Sequence, residues 1–322
     1  MKSIFRILTA LLLLALSSTV FAQQYPSRAI KMIVPFPAGG GTDIFARTVG
    51  QKLNENFKWT VVPENRPGAG GNLGIEAVAN SAPDGYTIGL GQTSNLAINP
   101  SLYPKLPYAP SKDLSPIVLV ASSPLVIVVS ANSPFKTFAD IVAAAKGKPD
   151  QVTYGSPGNG TVAHLGMELL QKTAGINLQH IPYKGSAQAL TDIVGGQIQI
   201  YASSVPTAMG QIKDGRLRAI AVTSLKRSAS LPETPTIAES GWPGFEAITW
   251  FGFVAPAKTP APIIKELNAN INQILKLPEV RTKLMGEGGE ILGGTPEQFT
   301  ALLNKDTARW ARVIQDANVK ID

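Results

Sequence analysis

Residues 29–43 read Ala-Ile-Lys-Met-Ile-Val-Pro-Phe-Pro-Ala-Gly-Gly-Gly-Thr-Asp, and the fold is decided in that order. Ala29 to Pro35 is a short apolar, β-favouring run of the length of one buried strand. Ala38-Gly39-Gly40-Gly41 then turns the chain, and Thr42 or Asp43 offers an oxygen to cap a helix. That helix is expected over Asp43 to Phe57, where Ile44, Phe45, Val49, Leu53 and Phe57 recur at helical spacing. A strand that passes through glycines into a helix is the opening unit of an α/β sheet.

The same unit recurs outward along the chain. Thr60 to Pro63 reads as a second strand, Gly68-Ala69-Gly70-Gly71-Asn72 opens a helix over Leu73 to Ser81, and Tyr86 to Gly91 is a third strand. Pro116 to Ser130 differs. It is a long β-type run interrupted at Ser122-Ser123-Pro124, long enough to cross between domains. Beyond it lies a second α/β unit, with helices over Thr137–Lys146, Thr161–Thr173 and Ala187–Val194. Its strands are expected at Gln151–Gly155, Gln179–Tyr183, Gln197–Ala202 and Leu217–Thr223. Thr249 to Ala255 is again a strand, and helices over Pro262–Lys276 and Pro296–Asn318 close the chain. The pattern predicts a mostly parallel α/β sheet in two domains, the second inserted into the first. Domain 1 is assigned residues 23–126 and 247–322, and domain 2 residues 127–246.

Composition narrows the chemistry. The 322 residues hold no cysteine, which excludes disulfides, thiolate metal sites and cysteine catalysis. The two histidines, His164 and His180, have no carboxylate cluster beside them in sequence, so no metal and no cofactor is expected. Lys2 and Arg6 precede an apolar stretch, Ile7 to Leu16, and the small-residue site Val20-Phe21-Ala22. This is the pattern of a cleavable export signal over 1–22, its apolar core well short of the roughly 20 residues of a membrane span. Cleavage after Ala22 leaves an exported, untethered monomer with a formal charge of +5, from 27 basic and 22 acidic residues. No basic run interleaves with aromatics, so nucleic acid is not an expected partner.

Three strand-to-helix turns, at 37–43, 155–161 and 183–187, share one chemistry. Each sets glycine and small hydroxyl residues at a helix N-terminus, where free backbone N–H groups and the helix dipole favour an anion. In open α/β sheets such turns lie at the carboxyl ends of strands, where ligands bind. Enzyme motifs fail: Tyr154 stands where G-x-S-x-G needs its first glycine, and Leu73 where G-x-G-x-x-G needs its third. Asp43 reads either as a contact to a ligand amine or as a helix cap, and His164 as a packed or capping residue. Lys184 offers a charge or is simply solvated, and Trp250 and Phe251 fit a cleft wall and a core equally well.

Taken together these segments resemble the Bug receptors, the periplasmic solute-binding proteins of tripartite tricarboxylate transporters. The resemblance rests on Tyr25-Pro26-Ser27-Arg28, on Val34 to Asp43 with Arg47, and on Asn65-Arg66-Pro67-Gly68-Ala69-Gly70-Gly71-Asn72. It continues through Tyr154 to Gly158, Ile181 to Gly185, Leu217 to Thr223 and Val254 to Ala257. It implies a two-domain periplasmic-binding-protein fold that closes on a small carboxylate, amino acid or aromatic acid, held largely by loop backbone and water. Carried over residue by residue, the ligand contacts are Ala38, Gly40, Gly41, Thr42 and Asp43 from domain 1. Ser156, Gly160, Thr161, Lys184, Gly185, Ser186, Ala187 and Ser203 come from domain 2. The chain departs from the family at Gln199, where an acidic residue is common, which leaves the ligand open. Implied partners are a small anionic organic solute and the membrane subunits of such a transporter. A ligand-sensing protein for a sensor kinase is the alternative, separable by neighbouring genes; an exported hydrolase is a distant third.

Overall fold

The structure is a computed structural model that describes residues 25–321; the export signal expected over 1–22 lies outside them. Strand β1 (Ile30–Val34) runs into the glycine turn and then into helix α1 (Gly41–Phe57), which starts two residues before Asp43. Phe45, Ala46, Val49 and Leu53 form its buried face, at the spacing read from the sequence. The helix gains these two residues because Gly40, in an extended conformation, takes the N-cap position. Two parallel neighbours flank β1: β2 (Val61–Asn65) and, after helix α2 (Asn72–Ala79), β3 (Thr87–Gln92).

The expected interruption at Ser122-Ser123-Pro124 is absent. Leu114–Ser130 is a single 17-residue strand, β4. Up to Pro124 it pairs with β9 (Ile248–Pro256), and from Leu125 onward with β7 (Ile200–Ser204) and β8 (Leu217–Val222). Thr223 repairs the ladder at the changeover. Its hydroxyl accepts from Leu125 N–H at 2.9 Å and donates to the Ala247 carbonyl at 2.6 Å. A side chain thus stands in for backbone where two strands pass between the halves of the sheet.

The second half begins with α3 (Phe138–Gly147), whose N-terminus carries a reciprocal cap between Thr137 and Asp140. There follow β5 (Thr153–Ser156), α4 (Val162–Ala174), β6 (Gln179–Pro182) and α5 (Ser186–Val194). After β7 comes α6 (Val205–Lys213), which the sequence reading lacked. The strand order is β2-β1-β3-β9-β4-β7-β5-β6, with β8 and β10 (Glu290–Gly293) also on β4. The sheet is therefore parallel only toward its outer strands. Its centre is antiparallel, because β4 carries the chain out of the first half and β9 brings it back. This corrects the expectation of a mostly parallel sheet.

Helices α7 (Ala261–Leu275), α8 (Pro278–Gly286) and α9 (Pro296–Asp316) close the first half. Trp250 belongs to the core. Its indole N–H donates to Asp306 Oδ2 at 2.6 Å, and its ring meets Phe299 edge-on at 5.5 Å. Among the described residues no helix is long and apolar enough to cross a membrane.

Candidate functional site

Between the two halves lies a cavity of about 230 Å³. Four helices, α1, α4, α5 and α6, bring their N-termini to its wall, one from the first half and three from the second. The first N–H groups of a helix have no intrahelical acceptor, so each end presents donors and partial positive charge. They sit close together. A Cβ built on Gly41 at the start of α1 would lie 3.3 Å from Ser204 Oγ at the start of α6. One built on Gly185 at the start of α5 would lie 2.8 Å from Pro37 Cγ in the α1 turn.

The α1 turn is held from behind. Gly39 has φ +83°, a left-handed conformation that glycine adopts at little cost, and its N–H donates to Asp43 Oδ2 at 3.0 Å. Asp43 Oδ1 accepts from Arg47 Nε at 2.8 Å and from Asn65 Nδ2 at 2.9 Å, and Asn65 also donates to the Phe36 carbonyl. The buried Asp43 carboxylate therefore braces the turn. It does not line the cavity, and since Gly40 is the N-cap the expectation of a helix cap is corrected. Thr42 does line the cavity, and its hydroxyl donates to Gln92 Oε1 at 3.1 Å.

The α4 turn is held by a stack of rings. Thr161 caps α4 by accepting from His164 N–H, while His164 Nδ1 accepts from Gly160 N–H at 3.3 Å. His180 stacks on His164 at 4.3 Å and on Tyr154 at 4.7 Å, and its Nε2 lies 2.7 Å from Ser156 Oγ. Burial pushes His164 down to about 4; burial, then repulsion from His164, pushes His180 down to about 3. Both imidazoles are neutral at neutral pH. The two histidines, distant in sequence, meet as packing and capping groups.

Of the residues expected to contact ligand, Ala38, Gly40, Gly41, Thr42, Thr161, Gly185, Ser186 and Ala187 line the cavity. Ser156, Gly160, Lys184 and Ser203 do not, and each has a physical reason. Ser156 is fully buried against His180, and Gly160 packs on Asn99 of the other half. Lys184 is exposed to solvent, and Ser203 is buried on the opposite strand face from Ser204. Gln199 lies off the cavity too, bonded to Thr153 across the β5–β7 edge, so that departure from the family does not touch the wall. Gly40 has φ −83° and does not require glycine.

Sequence reasoning missed Gln92, Leu125, Leu190 and Thr207, and left Phe251 undecided. Strand alternation offers a signal for part of this. Phe251 pairs directly with Gln92, and Thr249 lies on the same face, whereas Trp250 points the other way into the core. Among the described residues no charged side chain lines the cavity. No three His, Asp or Glu side chains among them are grouped to hold a metal ion.

Two α/β halves joined by crossing strands, with a ligand-sized cavity between them, define a two-domain periplasmic solute-binding protein. Residues 45–319 match the tripartite tricarboxylate transporter family receptor, and the chain belongs to that family. It is similar to protein BugT of Bordetella pertussis, 38% identical over 307 residues, 95% of this chain and 94% of that one. The solved periplasmic binding protein BugD superposes with a TM-score of 0.87 at 36% identity, covering 92% of this chain and 99% of BugD. R. palustris Rpa4515, solved with adipate, superposes at 0.89 and 33% identity over 92% of this chain and 99% of its own.

Proposed function

We propose that this chain captures a small carboxylate-bearing solute between domains 23–126 with 247–322 and 127–246, and hands it to the membrane subunits of a tripartite tricarboxylate transporter. Capture takes place in the periplasm, after removal of residues 1–22. The observation that carries the reading is the convergence of four helix N-termini, from both halves, on one cavity in whose wall no charged side chain stands among the described residues. Such a cradle stabilises a carboxylate through backbone N–H donors, each hydrogen bond to the charged group worth about 1.5–3 kcal/mol. The adipate bound by the R. palustris relative supports the same solute class. Because donors come from both halves, the anion favours the state in which the halves are together.

The test is a thermal-shift panel of small acids, each beside its neutral amide. At 100 times its dissociation constant a ligand adds about 2.7 kcal/mol of stability, which for a chain of this size raises the melt by about 5–10 °C. The acid should shift the melt and the amide far less. Equal shifts would remove the anion from the argument.

A further inference from the structure

Several hydroxyl groups on the cavity wall are already engaged. Thr42 donates to Gln92, Thr161 donates to the Gly158 carbonyl, and Ser204 and Thr207 bond each other. Ser186 takes part in none of these bonds. It opens α5, beside the free N–H groups of that helix end, and it lines the cavity. Its Oγ carries one proton and two lone pairs, so it can meet a ligand as donor or as acceptor. What stands behind it decides which.

Behind it stands Tyr201 of β7. The side chain is fully buried in a core cluster with Val126, Val128, Ala189 and Ile193. Among the described residues its hydroxyl has no hydrogen-bond partner of ordinary geometry. Buried tyrosine hydroxyls are normally paired, so this one calls for a physical reason. Two hydroxyls flank it, those of Ser186 and Ser203. Burial pushes the phenol up to about 12; the two serines act against that rise and Tyr183 adds to it. At neutral pH the group is therefore protonated and able to donate. Ser203 commits its own proton to the Ser204 carbonyl at 3.1 Å, so toward Tyr201 it is an acceptor only. The Tyr201 proton thus has two oxygens within reach, and only one of them, Ser186, also faces the cavity.

We propose that Tyr201 is a positioning residue for the ligand: its O–H donates to Ser186 Oγ and so turns the Ser186 proton onto a ligand carboxylate. The proposal rests on the carboxylate reading above and deepens it. A carboxylate at the N-terminus of α5 accepts the Ser186 proton, which leaves the serine oxygen free to accept from Tyr201. Each bond polarises the next, and the last one in the chain ends on a charge, where a hydrogen bond is strongest. The fold thereby adds a fixed side-chain donor to the backbone donors of the helix end, and it keeps the group that aims this donor out of contact with the ligand.

The experiment is a double-mutant cycle of Tyr201→Phe and Ser186→Ala in the mature chain, purified and refolded free of bound solute. Adipate, malate, glutamate and benzoate are titrated calorimetrically against the parent, and the probe that binds most tightly is carried through the cycle. Tyr201→Phe should weaken it by about threefold to tenfold, the range of one hydrogen bond. In the Ser186→Ala background the same change should cost less than about twofold, because the relay is already broken. A second measurement separates positioning from packing. Removing a buried hydroxyl that lacks a partner costs the free protein nothing, so its melting temperature should stay level or rise. Equal losses in the two backgrounds, no loss of affinity, or a loss that comes with a lowered melt of the free protein would each overturn the proposal and leave the carboxylate reading standing. Binding by none of the four probes to the parent would instead overturn the carboxylate reading, and the proposal with it.

Discussion

Asp43 engages its carboxylate behind the 36–43 turn rather than in front of it, and this changes what its removal should do. A carboxylate facing the cavity would repel an acidic ligand, so Asp43→Ala would tighten binding. A carboxylate bracing the turn fixes the N–H groups that hold the ligand, so the same change should weaken it. Asp43 accepts three hydrogen bonds and is 4% exposed, so the brace is shielded from solvent. We expect Asp43→Ala to cost about fivefold to thirtyfold in affinity, the factor that about one to two kcal/mol of lost preorganisation represents. Arg47→Ala should cost less, since its side chain is 48% exposed and such pairs contribute about 1 kcal/mol or less. Titration with an acid that binds the parent protein checks both, and a gain in affinity for Asp43→Ala would place the carboxylate in the cavity.

At the scale of elements, glycine and hydroxyl residues at strand ends made three of the four helix N-termini legible in the sequence. The fourth, α6, was hidden because Pro206 and Gly210 read as breakers within a short segment. Pro206 lies in its first turn, where a missing N–H costs nothing, so the same residue is a start signal once the helix is known. Side chains that reach the wall from strands were less legible, because which face they take depends on register with strands far away in sequence. In the packing of α4 onto β5 and β6, His164 was legible as a packed or capping residue, but its stack with His180 and Tyr154 was not, since the two histidines lie sixteen positions apart. That packing has a pH signature. Both imidazoles titrate well below the ordinary value of 6.5 when folded, so the unfolded chain takes up their protons first. Their contribution is fully present above pH 6.5 and is lost as pH falls toward about 4 for His164 and about 3 for His180. Glu168 Oε1, 3.9 Å from His164 Nε2, is placed to offset part of that loss. Each unit of depression corresponds to about 1.4 kcal/mol. Chemical denaturation at pH 7 and pH 4 should show the parent losing more stability than a His164→Gln, His180→Gln double variant. Parallel losses would mean that the stack does not hold neutral imidazoles.

Across the whole molecule, the halves touch at a second place besides the cavity rim. The 158–160 turn of the second half meets the first at Gly70, Asn99 and Tyr103, whose hydroxyl donates to the Asn159 carbonyl at 3.5 Å. Gly160 is the tightest point of that contact. It has φ +75°, and a Cβ there would lie 2.4 Å from Asn99 Oδ1. A ligand that holds N–H groups from both halves shifts the protein toward the closed arrangement only by its differential affinity for that state. Small-angle scattering should therefore record a smaller radius of gyration at saturating ligand. Gly160→Ala places a methyl group between the halves without touching the cavity wall, so it should weaken binding and keep the scattering profile expanded. The substitution also strains a left-handed residue, and that cost must be separated from the steric one. Gly175 supplies the control, because it ends α4 with φ +62° and a Cβ there would meet nothing within 4 Å. Gly175→Ala should lose about 1–2 kcal/mol of stability to strain yet bind and close like the parent. If Gly160→Ala and Gly175→Ala lose stability alike and both still compact with ligand, the 158–160 turn does not control closure. If only Gly160→Ala stays expanded, the affinity of the receptor is set partly at a contact its ligand never touches.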